Sequence, residues 1–245
     1  MDAFKTLVPV DHHIKFYKEL LSPGSLCFDV GANHGEKTAA ILAFSRKVIA
    51  IEPQNNLVTF LANAFKKEIE KGRLVIVPTA LGEAVGIATL YPSADPTQSM
   101  STLSETFLEV SESYSQYWDR AAATQVPVTT LDHLIIKFGM PDYIKIDSEG
   151  FDINILKGLT SAPYLISFEY NTAPRLLELA IECINQFDHL PGDYAFNVQC
   201  PHITPDALYL SEWVSAGTMQ YILERDIARM ANFGDIYAKR LERSL

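Results

Sequence analysis

Leu26-Cys27-Phe28-Asp29-Val30-Gly31-Ala32-Asn33-His34-Gly35 decides the fold. The apolar run Leu26–Val30 reads as a buried strand that stops at Gly31. Glu36 to Phe44 then reads as a compact helix with acidic Glu36 near its positive N-terminal end. Gly31 and Gly35 let the chain turn sharply and bring backbone N–H groups close to a ligand, and the helix start offers further donors to an anion. Asn33 supplies side-chain hydrogen bonds. Asp29, two positions before the first glycine, can accept from an ammonium group or organise the loop. That combination favours an amino-acid-bearing nucleotide over a pyrophosphate.

Outward from this turn, apolar runs alternate with helical patterns, the signature of βαβ units and a mostly parallel sheet. Strand Val48–Ile51 is followed by a helix over Asn56–Glu70, carried by Leu57, Phe60, Leu61, Ala64 and Phe65. A third strand, Leu74–Val77, leads to a hairpin arm at Gly86–Tyr91. The rhythm breaks over Pro92–Gln125, where Thr102 and Glu105 form a capping box ahead of Leu103, Phe107, Val110, Tyr114 and Trp118. This stretch reads as an insertion near 85–125, with a helix beside the site mouth or packed on the core.

Val126–Thr130 is then a strand or edge segment, and Leu131–Phe138 a helix. Strand Tyr143–Ile146, helix Asp152–Leu159, strand Tyr164–Phe168 and helix Pro174–Phe187 follow. A strand near Tyr194–Val198, a helix near Met219–Met230 and a final strand near Asp235–Ala238 close the chain. Residues 1–24 form an N-terminal helical segment, and 25–245 one α/β domain.

Composition limits the partners. The 245 residues hold 20 Lys+Arg against 30 Asp+Glu, a net charge of −10, which disfavours general nucleic-acid binding. The longest purely apolar run is Ala39–Phe44, far short of the roughly 20 residues a spanning helix needs. Met1–Leu21 mixes charges throughout and has no signal-peptide core. Cys27, Cys183 and Cys200 lack metal-type spacing and read as reduced thiols of a cytoplasmic protein.

In an open α/β sheet, ligands bind at the carboxyl ends of the strands, so polar residues there are the candidates. Glu52-Pro53 ends the second strand 21 positions after Gly31, placed to accept both hydroxyls of an adenosine ribose. Tyr143-Ile144-Lys145-Ile146-Asp147-Ser148-Glu149-Gly150 delivers Asp147 and Glu149 to the mouth, where they can accept a hydroxyl proton or hold a metal. Lys145 reads as the partner of a carboxylate, and Asp152 as ordinary helix N-terminal electrostatics. Glu169 and Asn171 end the next strand and could face Asp147. Those three form the single, weak candidate set for a divalent cation, and the leading expectation is no metal. His12-His13 reads as surface, and His133, His189 and His202 as isolated.

These blocks, together with Ala80-Leu81-Gly82, Val126-Pro127-Val128-Thr129-Thr130-Leu131-Asp132, Lys157-Gly158 and Gly234-Asp235-Ile236-Tyr237-Ala238-Lys239, resemble the FkbM-type S-adenosylmethionine-dependent methyltransferases. The resemblance runs in order from about Phe28 to Lys239. It implies a class I methyltransferase (Rossmann-like) fold, with a seven-stranded mostly parallel sheet, helices on both faces and an antiparallel last strand. It also implies O-methylation of a hydroxyl on a sugar or secondary metabolite. Asp29, Gly31, Ala32, Asn33 and Gly35 would hold the methionine part of the cofactor, Thr38 would lie near its carboxylate, and Glu52 and Pro53 would meet the ribose. Ala80 and Leu81 would flank the adenine, and Ser99 to Leu103 is a looser match. Asp147 leads as the residue that orients or deprotonates the acceptor, with Glu149 as its alternate, and Asp147 is also expected to border the cofactor. The expected partner is a small-molecule hydroxyl acceptor, with neither nucleic acid nor membrane. Two readings compete: a nicotinamide-dependent oxidoreductase, disfavoured because Asn33 stands where G-x-G-x-x-G needs glycine, and a catalytically silent binding protein, for which the Tyr114–Trp118 aromatics would be a partner surface.

Overall fold

The protein is described by a computed structural model covering residues 11–95, 100–113, 118–230 and 232–241. Strands in chain order are β1 (Leu26–Val30), β2 (Lys47–Ile51), β3 (Leu74–Val77), β4 (Ala80–Leu81), β5 (Gly86–Pro92), β6 (Ser101–Thr102), β7 (Thr124–Thr129), β8 (Tyr143–Ile146), β9 (Leu165–Asn171), β10 (Tyr194–Gln199) and β11 (Phe233–Arg240). Helices are α1 (Asp11–Leu20), α2 (Glu36–Leu42), α3 (Asn55–Ala64), α4 (Lys66–Glu70), α5 (Glu105–Ser113), α6 (Leu131–Phe138), α7 (Asp152–Lys157), α8 (Pro174–Gln186), α9 (Ala216–Ile222) and α10 (Ala228–Met230).

Seven strands form the main sheet in the order β10-β11-β9-β8-β1-β2-β3. Pairing is parallel from β9 through β8, β1 and β2 to β3, and β11 runs antiparallel to both β9 and β10. This is the class I methyltransferase arrangement expected from the sequence. The strand order reverses at β1, so the carboxyl ends of β1 and β8 open a crevice between the two halves of the sheet.

The central strands are mostly apolar because both of their faces are covered, and the charges within β1 and β8, Asp29 and Lys145, are buried against each other. Alternate side chains serve different cores. Leu26, Phe28 and Val30 of β1 join Ile49, Ile51, Ile144 and Ile146 in one cluster, while Cys27 joins Val48, Ala50 and Tyr143 in the other. Helix α1 covers the second face with Phe16 and Tyr17, whose rings meet Tyr237 and Tyr143 at 5.5 and 6.0 Å. Cys27, Cys183 and Cys200 are all buried free thiols.

The insertion is a second sheet, order β4-β7-β5-β6, with β7 parallel to β4 and antiparallel to β5. The segment expected as a hairpin arm is thus an interior strand, and Val126–Thr130, expected as a strand or edge segment, falls on β7, a strand paired on both sides. Helix α5 starts two residues later than the capping box predicted. Ser104 Oγ accepts from Phe107 N at 3.1 Å and serves as its N-cap. The Asn56–Glu70 helix breaks at Phe65, whose side chain is buried. Strand β9 is longer than expected and carries Glu169 and Asn171 within it. Residues 1–10 of the N-terminal segment, Tyr114 and Ser99 lie outside the described residues.

Candidate functional site

The turn after β1 is shaped by its neighbours. Gly31 has φ 76°, and a Cβ there would lie 1.9 Å from the carbonyl oxygen of Asp147. Gly35 has φ 84°, and a Cβ would meet Phe65 Cε2 at 2.6 Å. Both positions exclude side chains through protein packing, whatever ligand the loop receives. The amides that the sequence aims at a ligand are also engaged internally. Gly31 N and Ala32 N both donate to Ile51 O at 3.0 Å, Gly35 N donates to Ala32 O at 2.8 Å, and Asn33 N donates to Glu52 Oε2 at 2.9 Å.

Asp29 is fully buried, so it organises the loop. Thr38 Oγ1 donates to its Oδ2, and Lys145 Nζ lies 3.3 Å from its Oδ1. Thr38, expected near the cofactor carboxylate, is itself fully buried with its hydroxyl directed at Asp29. Lys145 bridges Asp29 to Asp147, at 3.1 Å from Asp147 Oδ2. Burial works against its charge, but the two carboxylates prevail and its pKa is raised.

Glu52 directly follows β2 and is only 3% exposed. Burial raises its pKa, while the amides of Gln54 and Asn33 oppose that shift. Each carboxylate oxygen accepts one amide, at 2.9 Å, and retains a second lone pair for a ligand hydroxyl. Glu52, Pro53, Ala80 and Leu81 line one cleft of about 420 Å³ with Ile51 and Phe151 on its apolar side. Ser101 and Leu103 of the insertion also line it. A second cleft of about 570 Å³ runs along Gly31, Ala32, Asn33, Gly35, Lys37 and Lys145. Gly31 and Asp147 border both. An apolar slot ending in a buried carboxylate, joined to a polar cleft beneath the glycine turn, suits a nucleoside carrying an amino acid.

The turn after β8 carries the acids. Glu149 adopts φ 52°, unusual for a non-glycine residue, and Gly150 follows at φ 82°. Thr102 of β6 holds this turn by donating to Glu149 O at 2.7 Å. Burial, reinforced by the charges of Asp147 and Asp152, pushes the Glu149 carboxyl up to about 8. The same causes, burial first and then Asp147, raise Asp152 to about 6. Asp152 is therefore a buried acid and no simple solvated helix-start charge. It accepts from Ser148 Oγ at 2.9 Å and Glu169 N at 3.4 Å. Glu169 is pushed well up by burial and by Glu149, Asp147 and Asp152.

The possible cation set does not assemble. Asn171 Oδ1 accepts from Ala173 N at 3.0 Å, and no group of three or more His, Cys, Asp or Glu among the described residues is arranged to hold a metal. Glu169 and Asn171 border a small cavity with Phe107, separate from the clefts that Asp147 borders. A wider groove of about 1010 Å³, lined by Met100, Phe107, Val110, Asn171, Pro174 and Leu176, lies beside α5. Trp118 is no partner surface. It is 7% exposed, donates from Nε1 to Ser111 Oγ at 2.8 Å and meets Phe107 edge-on.

A family model, the Methyltransferase FkbM domain, matches residues 29–190. The chain belongs to that family. Membership in that family implies S-adenosylmethionine as the cofactor, in place of a nicotinamide. The "Methyltransferase FkbM" of Methylobacillus flagellatus KT is similar in structure, with TM-score 0.52 and 15% identity over 96% of this chain. The chain spans 58% of that protein's length. A "Precorrin-6y C5,15-methyltransferase" from Geobacter metallireducens GS-15 gives TM-score 0.48 at 13% identity, covering 97% of this chain and 92% of that one. At these identities the likeness concerns the fold alone. No curated protein matches the chain. No helix among the described residues is long and apolar enough to cross a membrane.

Proposed function

We propose that this FkbM domain moves a methyl group to a hydroxyl of a small acceptor, a sugar or secondary metabolite. The observation that carries the reading is the turn Asp147-Ser148-Glu149, where a carboxyl raised to about 8 stands beside a second, partly exposed carboxylate. A hydroxyl nucleophile must shed its proton as it attacks, and a carboxyl titrating near neutrality is matched to that task. S-adenosylmethionine, when bound, supplies a methyl group on a sulfonium that an aligned oxygen can take. Glu52 would hold the ribose, Pro53, Ala80 and Leu81 the adenosine, and the cleft under Gly31–Gly35 the methionine end.

Asp147, paired with Lys145, is suited to orient the acceptor hydroxyl, and the ionised fraction of Glu149, which grows as pH approaches 8, to take its proton. The acids at the mouth and the net charge of −10 disfavour a polyanionic acceptor such as nucleic acid. A cytoplasmic location is part of the same proposal, supported by three buried free thiols.

The test is transfer of labelled methyl from S-adenosylmethionine to a panel of sugars and hydroxylated natural products, followed by mapping of the methylated atom. Asp147→Asn is expected to bind S-adenosylhomocysteine normally and lose about 100-fold or more in turnover. Full turnover in that variant, or methylation only at nitrogen or carbon, would remove the assignment.

A further inference from the structure

The engaged loop amides and the inward-facing Thr38 leave a question of charge. An amino-acid-bearing cofactor brings a carboxylate into the cleft beneath the glycine turn, and something must receive it. Two cations border that cleft, Lys37 and Lys145. Lys145 is only 3% exposed and sits between Asp29 and Asp147. Lys37 is half-buried at the first turn of α2. Among the described residues its one hydrogen-bond partner is His13 Nε2, at 3.2 Å. Its charge also reaches Asp235 on β11, opposing the burial that raises that carboxyl.

The bond to His13 has a fixed direction. A lysine ammonium has three donors and no acceptor, so Lys37 donates and His13 Nε2 receives. Helix α1 brings His13 there because Phe16 and Tyr17 anchor it to the sheet through Tyr237 and Tyr143. One ammonium donor is thereby held, the side chain loses rotamer freedom before any ligand arrives, and two donors remain.

We infer that Lys37, positioned by His13, receives the carboxylate at the methionine end of the cofactor, so that α1 is a working part of the cofactor site. The inference rests on the S-adenosylmethionine reading. His13 lies upstream of residues 29–190, the span matched by the family model, so this support belongs to the chain's own N-terminal helix.

Calorimetry with two nucleosides tests it without turnover. S-adenosylhomocysteine carries the amino-acid carboxylate, whereas 5′-methylthioadenosine lacks the amino-acid portion and keeps the ribose and adenine. Lys37→Met is expected to weaken S-adenosylhomocysteine binding about 10- to 100-fold, the range of a charge-assisted hydrogen bond, and to leave methylthioadenosine within about twofold. Lys37→Arg should restore most of the loss. His13→Leu should give a smaller selective loss, and His13→Gln, which can still accept, should recover it. Equal affinity of wild type and Lys37→Met for S-adenosylhomocysteine, or equal weakening of both nucleosides, would overturn the assignment. If wild type binds neither nucleoside, the cofactor reading falls first and takes this inference with it.

Discussion

Gly31→Ala should disable the enzyme while leaving the chain folded. A methyl group at position 31 would begin 1.9 Å from the Asp147 carbonyl oxygen. Ordinary contact between carbon and oxygen is about 3.3 Å, so loop and strand end must separate by roughly 1.4 Å. The left-handed φ of 76° costs about 1–2 kcal/mol more for any L side chain. The separation would fall on Asp147, whose N donates to Val30 O at 3.2 Å and whose side chain pairs with Lys145. Both clefts meet at these two residues, so the same displacement acts on nucleoside, acceptor and acid together. A misplacement of about 1 Å can cost 100-fold in rate. The expected outcome is cooperative unfolding lowered by about 2–4 kcal/mol with kcat/KM down at least about 100-fold. Denaturant titration and methyl-transfer kinetics on the same preparation check both. A variant with stability and turnover within twofold of wild type would show that the close approach of Gly31 to Asp147 does not constrain the site.

Two further outcomes follow from the same geometry. Glu52→Ala should weaken S-adenosylhomocysteine binding by about 1.5–3 kcal/mol through lost charge-assisted hydrogen bonds, and calorimetry would show unchanged affinity if Glu52 lies outside the site. Glu149 holds a proton in the fold up to about pH 8, whereas the unfolded chain releases it near 4.5. Its contribution is therefore complete below about pH 4.5 and lost as pH rises towards 8, on the order of 5 kcal/mol in all. Glu149→Gln should flatten that slope in denaturant melts across the range; an undiminished slope would place the proton elsewhere.

Much of the fold was legible because β1 and β8 are covered on both faces, which writes them into the sequence as apolar runs interrupted only by the paired Asp29 and Lys145 and ended by glycine or acid. Helix α6 was legible for a different reason, since Thr130 caps it, accepting from His133 N at 3.2 Å, and Gly139 ends it. The second sheet was not legible, because nothing local in Val126–Thr129 says that Ala80–Leu81 pairs alongside it. The cap of α5 was misread between two hydroxyls two residues apart. Thr102 instead accepts from Ser104 N at 2.8 Å and donates to Glu149 O in the turn after β8. At the site, residue types were readable and their orientations were not. Thr38 faces the core, and Asn171 turns back on its own helix start. Lys37 and His13, 24 positions apart, carry no shared motif.

The tie between Thr102 and Glu149 bears on how such an enzyme can be re-engineered. Phe107 of α5 also packs so closely on Gly150 that a Cβ there would sit 2.9 Å from its own Cβ. The inserted sheet and helix are thus keyed to the turn after β8 at two points, one polar and one steric. A graft that exchanges the insertion for one from another family member, in search of a new acceptor, must carry a hydroxyl at position 102 and a matching side chain at 107. Splice points placed before Gly86 and after Thr129 would transplant the keyed unit whole, whereas exchanging α5 alone would keep the Thr102 contact to Glu149 and remove the Phe107 side chain that packs on Gly150.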